Sequence, residues 1–419
     1  MTALERVERA LDAAEAREEL GAFWALDRER ALRAAAEHDG EAPGRRGPLA
    51  GVPVAVKDLY DVTGMPTTAG LSGSVPPARA DAELVRRLRA AGGVPIGKTA
   101  MDPLGASTGG QAPGFPHCLN PLDPALSPGG SSSGSAVAVA AGIVPLAIGS
   151  DTAGSTRVPA AYCEIVGLRP ALGWLPRRGI VHAMPSFDAP GLLARSVADC
   201  LDALAALSAR GTAPARRGRL TLALLADLVE VSDPSVARAC HEAGERLARQ
   251  RGVELREERL DWRAGGLGKA LAFELAETWG ERVDAEPSRF TELIRDTVEF
   301  GRRCGREEYR RSLARLTEGR RSLARRFAGV DAVLCPTVPV PAPDRDAESV
   351  GVSTSFTRLF NALNWHAVSL PAGRDDAGRP IAVQVAAPPP RLAAMLAVAR
   401  ALELAVAEGR GARRGHVAP

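Results

Sequence analysis

The sequence predicts an α/β fold with a mainly parallel sheet. Short apolar segments that suit buried strands alternate with segments whose apolar residues recur at helical spacing, and this alternation is typical of such folds. Residues 52–56 (Val-Pro-Val-Ala-Val) are one expected strand, and residues 82–91 are an amphipathic helix that ends at Gly92-Gly93. The 419 residues suit one large or two ordinary domains with a sizeable core.

The first half of the chain is expected to begin with helix and then to build the sheet. Residues 2–39 carry apolar positions near helical spacing, so residues 1–46 are taken as an N-terminal helical segment that ends in a turn-rich joint at 40–48. Residues 106–134 are rich in Gly, Pro and Ser, and we interpret them as a binding loop. The remaining expected elements of this half are strands at 94–96 and 144–148 and a helix at 135–141.

The second half is expected to be more helical. A joint is predicted at 212–218, and residues 234–327 are interpreted as one long helical region. The other expected elements are strands at 220–225, 330–335 and 381–386 and a closing helix at 391–407.

Composition excludes several classes of protein. The net charge is +3, from 53 basic and 50 acidic residues, which argues against a dedicated nucleic-acid binder. The six cysteines are scattered without a CxxC pair, so neither a zinc site nor a disulfide framework is expected. The charged N-terminus does not resemble a signal peptide, and the longest low-polarity run, residues 136–149, is too short to span a bilayer. We therefore expect a cytoplasmic protein that does not bind membranes.

Lysine is rare in this chain and its positions are informative. Lys57, Lys98 and Lys269 are the three lysines among 53 basic residues, so the other 50 are arginines. Arginine serves wherever a general positive charge suffices, and a retained lysine therefore points to a task such as losing a proton.

Two familiar motifs match by coincidence. Residues 92–99 fit the GxxxxGK[ST] pattern of a phosphate-binding loop, but a helix precedes them and the expected loop contains a strand, whereas the true motif lies between strand and helix. Residues 130–134 fit the GxSxG elbow, but no strand comes directly before them. A Ser-His-Asp enzyme at that elbow would need a histidine such as His182 or His366. A P-loop ATPase that uses Lys98 stays open as an alternative.

A third pattern combines two serine turns with Lys57. Residues 129–134 (Gly-Gly-Ser-Ser-Ser-Gly) and 151–155 (Asp-Thr-Ala-Gly-Ser) each present a serine on small-residue backbone. A serine becomes nucleophilic when a base takes its proton, and a buried lysine can be that base because burial favours its neutral form. Asp58 need not keep Lys57 charged, since neighbours on a strand point to opposite faces. The alternative is that both stretches are only flexible loops.

These residues resemble the amidase signature family. The resemblance is carried by residues 51–58, 129–135, 149–160 and 166–170, and it runs from about residue 47 to 204 and returns at 330–336 and 380–385. It implies one domain with a central mixed, mostly parallel sheet covered by helices on both faces. Residues 47–212 would be the core with the catalytic residues, residues 213–330 a variable helical region that shapes the substrate pocket, and residues 331–419 the closing strands and helix of the same domain.

The resemblance also implies the chemistry, which is hydrolysis of a small-molecule amide without metal or cofactor. Ser155 would be the nucleophile, Ser131 a bridging serine after a cis Gly130-Ser131 peptide, and Lys57 the base. Ser132 and Arg157 would bind substrate. The backbone amides of the nucleophile turn would form the oxyanion hole, and they belong to Thr152, Ala153, Gly154 and Ser155.

The chain departs from the family pattern in three places. Ala153 stands where the family usually has glycine, which makes the nucleophile segment most similar to the amidase domain of allophanate hydrolases. Arg157 could then pair with a substrate carboxylate or, equally, with an internal acid such as Asp151. The Gly-Lys-Thr-Asn segment of the family ends here in Ala100, and residues 234–327 match no motif that we can assign.

Several functions remain as alternatives to a general amidohydrolase. They are an allophanate or ureide hydrolase, the glutamine-hydrolysing A subunit of a tRNA-dependent amidotransferase, the P-loop ATPase and a catalytically inactive binding protein. A homodimer is one option for the assembly.

Overall fold

The computed structural model describes the whole chain except residues 43, 45, 111, 113, 116, 211–218, 251, 348–349 and 415–419. The joint predicted at 212–218 therefore lies outside the described residues. The strands are β1 Phe23–Leu26, β2 Pro53–Lys57, β3 Val94–Thr99, β4 Leu146–Asp151, β5 Val166–Arg169, β6 Ala189–Ala194, β7 Leu220–Leu225, β8 Val253–Glu258, β9 Ala332–Pro336, β10 His366–Arg374 and β11 Pro380–Ala387.

The helices alternate with these strands along the chain. They are α1 Ala3–Glu15, α2 Arg28–Gly40, α3 Glu83–Ala90, α4 Ser133–Ala140, α5 Arg157–Tyr162, α6 Val197–Leu207, α7 Ala226–Val229, α8 Pro234–Ala248, α9 Leu267–Ala285, α10 Glu292–Arg326, α11 Val350–Ser353, α12 Thr357–Leu363 and α13 Leu392–Arg414.

All eleven strands belong to one sheet, in the order β1-β3-β2-β4-β6-β5-β10-β11-β9-β7-β8. The sheet is mixed as expected, but the prediction that it is mainly parallel is wrong. Parallel pairing is confined to β3-β2-β4 and to β9-β7-β8, and the strands between them pair antiparallel. The reason is the central position of β5, β6 and the β10-β11 hairpin, which join the two parallel units.

Helices cover both faces of the sheet, which confirms that part of the prediction. In β2, Val54 and Val56 pack into one apolar core with α3, α6, α8 and α13, whereas Ala55 packs into a second core with α1 and α4. Successive side chains of a strand point to opposite faces, so a strand with both neighbours buried is covered from both sides.

Two long helical predictions are wrong in part. Residues 2–39 form two helices with β1 between them, because β1 pairs antiparallel with β3 and thereby covers what would otherwise be the exposed edge of that strand. Residues 234–327 contain β8, which pairs in parallel with β7 at the other edge of the sheet. Every predicted strand overlaps an observed one, whereas β5, β6 and β10 were not predicted.

Candidate active site

The site forms where two parallel strands end side by side. Val56 of β2 is the register partner of Ile148 of β4, so Lys57 at the end of β2 lies beside Ser150 and Asp151 at the end of β4. Helix α4 begins at Ser133, within the first serine turn, and the amide of Ser132 donates to the carbonyl of Ser155 at 3.1 Å. The sheet therefore brings the lysine and both serine turns together, as the sequence predicts.

Lys57 is fully buried and its amine contacts three hydroxyls. Nζ lies 2.8 Å from Ser131 Oγ, 3.0 Å from Ser132 Oγ and 2.8 Å from Ser150 Oγ. Burial lowers the pKa of Lys57 from 10.5 to about 7. The negative charges of Asp102, Asp151 and Asp188 act in the other direction and raise this pKa. The amine is therefore neutral in a large fraction of molecules near neutral pH.

The contacts of a neutral amine have a definite direction. Such an amine has two N–H donors and one lone pair, so one of its three hydroxyl neighbours has to donate to it. The Ser132 hydroxyl donates to the carbonyl of Ser150 at 3.2 Å and is thus engaged as a donor elsewhere. The hydroxyls of Ser131 and Ser150 are then the two that can donate to Lys57, and donation from Ser131 is the direction that a base needs.

Asp58 does not compensate the charge of Lys57. Its carboxylate forms a buried ion pair with Lys98 at 2.8 Å, and it also accepts from the amide of Thr68. Lys98 is fully buried within β3 and donates to Pro66 and Thr67. This lysine thus lies inside a strand and not in a phosphate-binding loop, so the P-loop alternative is wrong.

The first serine turn is shaped by its tight surroundings. The Gly130-Ser131 peptide is cis, which confirms the expectation from the family resemblance. A Cβ on Gly130 would collide with the carboxylate of Asp102 and with the backbone of Thr108, so only glycine fits there. Ser131 is fully buried. Its hydroxyl contacts Lys57 and also lies close to Gly105, where an added Cβ would come within 3.1 Å of Ser131 Oγ.

The second serine turn, which we name the oxyanion turn and define as residues 152–155, is held from two sides. Thr152 Oγ1 donates to Asp188 Oδ1 at 2.6 Å, and Thr357 Oγ1 donates to the carbonyl of Ala153 at 2.6 Å. Gly154 has φ +141°, where a side chain is strained. The amides of the turn donate no hydrogen bond within the described part of the chain, so they are available to an oxyanion.

Ser155 ends the oxyanion turn and is 4% exposed. Its hydroxyl forms no hydrogen bond with other described residues, so the contact to Ser131 that a proton relay needs is not formed in this state. Catalytic hydrogen bonds are often long in the absence of substrate.

Arg157 pairs internally, which is the second of the two alternatives considered for it. Its guanidinium binds both carboxylate oxygens of Asp151 at 2.9 Å, Gln384 Oε1 at 2.9 Å and Asn361 Oδ1 at 2.6 Å. The side chain is fully buried and presents no surface to a ligand. Arg157 therefore fixes Asp151, the residue directly before the oxyanion turn, through an internal ion pair.

Ser132 is likewise placed behind the site. It was expected to bind substrate, but it is fully buried and its hydroxyl contacts Lys57 and the backbone of Ser150. Its position makes it a hydrogen-bond partner of Lys57.

Ser150, the third hydroxyl around Lys57, was not predicted from the sequence, and neither were Asn361 and Gln384. A single polar residue within an apolar segment is the signal that could have revealed Gln384 in β11.

The histidines proposed for a Ser-His-Asp site have other partners. His366 is fully buried, its Nδ1 accepts from the amide of Ala171 at 2.9 Å, and burial lowers its pKa to about 3. His182 Nδ1 lies 3.4 Å from Asp188 Oδ2. In the described ranges, no set of three His, Cys, Asp or Glu side chains is arranged to hold a metal ion, and no helix is long and apolar enough to cross a membrane.

Comparison with known proteins shows that the chain is similar to amidases and related enzymes. A family model described as Amidase matches residues 5–393. The chain is 35% identical over 422 residues to 2-amino-5-chloromuconic acid deaminase of Comamonas testosteroni, covering 93% of this chain and 89% of that protein. It is 34% identical over 448 residues to the A subunit of the glutamyl-tRNA(Gln) amidotransferase of Anaeromyxobacter dehalogenans, covering 92% and 89%.

A solved structure described as an amidase has a TM-score of 0.90 to this chain at 31% identity, with 96% of each chain covered. The fold and the site thus define a single-domain α/β enzyme that hydrolyses amides. The chain belongs to the amidase signature family.

Proposed function

We propose that the protein hydrolyses the carbon–nitrogen bond of a small amide through an acyl-enzyme on Ser155, with Ser131 and Lys57 as the proton relay. The observation that carries this proposal is the fully buried amine of Lys57, whose pKa lies near 7 and which contacts Ser131 at 2.8 Å. A serine needs such a base because its own hydroxyl is a weak nucleophile.

The reaction follows from the positions of the groups. Ser155 Oγ attacks the amide carbonyl while its proton passes to Ser131 and the proton of Ser131 passes to Lys57. The carbonyl oxygen takes the negative charge and accepts hydrogen bonds from the amides of the oxyanion turn. Collapse of the tetrahedral intermediate breaks the C–N bond, and the relay returns a proton to the leaving ammonia or amine. Water then attacks the acyl-enzyme and gives its proton to the same relay. Collapse of the second tetrahedral intermediate breaks the bond to Ser155 Oγ, releases the carboxylic acid, and the relay returns the proton to Ser155.

The amide specificity is proposed only as a class. Because Arg157 is enclosed by Asp151, Asn361 and Gln384, recognition of a carboxylate on allophanate or another ureide would have to come from a different residue. The similarity to the A subunits of amidotransferases favours glutamine as a second candidate substrate. That candidate predicts that ammonia is released from glutamine and that a second protein chain is bound.

The test is a screen of small amides with ammonia release as the readout. Malonamate, allophanate, aryl amides and glutamine would be offered to the purified protein, alone and after a search for co-purifying proteins. Ser155→Ala should lower the rate on any active substrate at least about a thousandfold. Wild-type protein that hydrolyses no amide, or a Ser155→Ala variant with full activity, would refute the proposal.

A matched pair of variants tests the base separately. Lys57→Met removes the buried amine, and Lys269→Met removes an exposed lysine that pairs with Glu308 on the surface. The first should abolish turnover and the second should leave it near the wild-type rate. Equal activity of the two variants would exclude Lys57 from the mechanism.

A further inference from the structure

Asp188 connects the oxyanion turn to a loop that lies outside the triad. Its Oδ1 accepts from Thr152 Oγ1 at 2.6 Å, and its Oδ2 accepts from the amides of Ala183 and Met184, each at 2.9 Å. The carboxylate is largely buried, directly precedes β6, and lies next to the end of β4 because Ala189 is the register partner of Asp151. One side chain therefore joins the loop, the sheet and the turn.

The same loop, residues 182–188, is fixed from its outer side by α9. The amide of Ser186 donates to Glu274 Oε2 at 2.9 Å, and the indole of Trp279 donates to the carbonyl of His182 at 2.9 Å. Glu274 is buried and is itself held by the hydroxyl of Tyr309 from α10 at 2.6 Å. The helices of the variable region thus hold the loop that carries Asp188.

We infer that Asp188 is a positioning residue for catalysis, because its carboxylate fixes Thr152 and thereby the direction of the amides in the oxyanion turn. This inference rests on the proposed amide hydrolysis, since it assigns a role in stabilising the oxyanion. Amides stabilise a transition state only if they already point to the place where the charge develops. Gly154 gives the turn little rigidity of its own, so the side chains at its ends have to supply it.

Asp188 has a second, measurable effect, which is the influence of its charge on the pKa of Lys57. Its negative charge is one of three, with Asp102 and Asp151, that oppose the loss of the proton from Lys57. Its other titratable neighbours in the described part of the chain include His182, 3.4 Å from Oδ2, the buried phenol of Tyr60, and Arg177, which donates to the backbone carbonyl of Asp188. Removing the charge of Asp188 should therefore ease deprotonation of the lysine.

Thr152→Val and Thr152→Ser form the matched pair that tests the inference. Valine removes the hydroxyl and nearly keeps the shape, while the amides of Ala183 and Met184 still satisfy Asp188; serine keeps the hydroxyl. On the best substrate of the screen, kcat of the valine variant should be at least about tenfold below that of the serine variant, with KM changed less than about threefold. Thermal unfolding would confirm that both variants are folded.

Equal kcat values for the two variants, or a difference confined to KM or to the folded fraction, would overturn the inference. An active wild type with equal variants refutes only the role of Asp188, whereas an inactive wild type refutes the proposed function itself. Asp188→Asn supplies an independent readout, because the acidic limb of its pH–rate profile should move to lower pH. A limb that stays in place would contradict a charge effect of Asp188 on the site.

Discussion

Lowering the pH from about 8 to about 6 should slow the enzyme about tenfold, because Lys57 acts in its neutral form. With a pKa of about 7, roughly 91% of the lysine is neutral at pH 8, half at pH 7 and roughly 9% at pH 6. A lysine at its ordinary pKa of 10.5 would be only about 0.03% neutral at pH 7. The rate should thus approach a tenfold rise per pH unit well below 7 and level off above 8.

The assay is initial ammonia release at constant ionic strength between about pH 5 and pH 10, with Ser155→Ala as the blank. The quantity to compare is kcat/KM, because it reports the ionisation of the free enzyme. Unfolding would be measured at each pH so that loss of folded protein is not mistaken for titration. A rate that still climbs tenfold per unit between pH 8 and 10, or that falls as the pH rises through 7, would refute a buried neutral lysine as the base.

Three further substitutions have defined outcomes. Lys57→Arg should lose at least about a thousandfold in kcat because a guanidinium does not deprotonate, while Lys269→Arg should keep the wild-type rate; equal rates would contradict this. Arg157→Met should lower the free energy of unfolding by about 3–5 kcal/mol, since it leaves a buried carboxylate unpaired; denaturant titration showing wild-type stability would be the contrary result. Gly154→Ala should cut kcat at least about tenfold, because its Cβ would meet Thr357; steady-state kinetics with an unchanged kcat would show that the turn tolerates movement.

Six strands were predictable because each contains a short apolar run, and they are β2, β3, β4, β7, β9 and β11. Residues 52–56 and 144–148, for example, are found in β2 and β4. The strands β5, β6 and β10 at the centre of the sheet were not predicted. The edge strands β1 and β8 were also not predicted: β8 is half exposed and reads Val-Glu-Leu-Arg-Glu-Glu, and β1, Phe-Trp-Ala-Leu, is a four-residue run that was included in the helical prediction for residues 2–39. The antiparallel majority of the sheet also escaped prediction, since it depends on pairing between distant segments that local patterns do not encode.

The site was predictable where its chemistry is local. The rarity of lysine and the apolar strand before it singled out Lys57 and its burial, and the geometry of β2 and β4 agrees. The pairing of Lys98 with Asp58, and the contacts of Asp188 with the oxyanion turn, join residues far apart in sequence. No pattern along the chain gives such contacts, and the enclosed position of Arg157 likewise follows from Asn361 and Gln384.

The insertion of β10 between β5 and β11 has a consequence for biosynthesis. β5 pairs on one side with β10, whose residues leave the ribosome roughly 200 positions later, and Asn361 and Gln384 arrive in the same late stretch. A nascent chain that has reached only residue 330 therefore has an open strand edge in its middle and a guanidinium without two of its partners. Because an open strand edge can pair with another chain, we expect such a chain to be prone to aggregation until translation has passed β11.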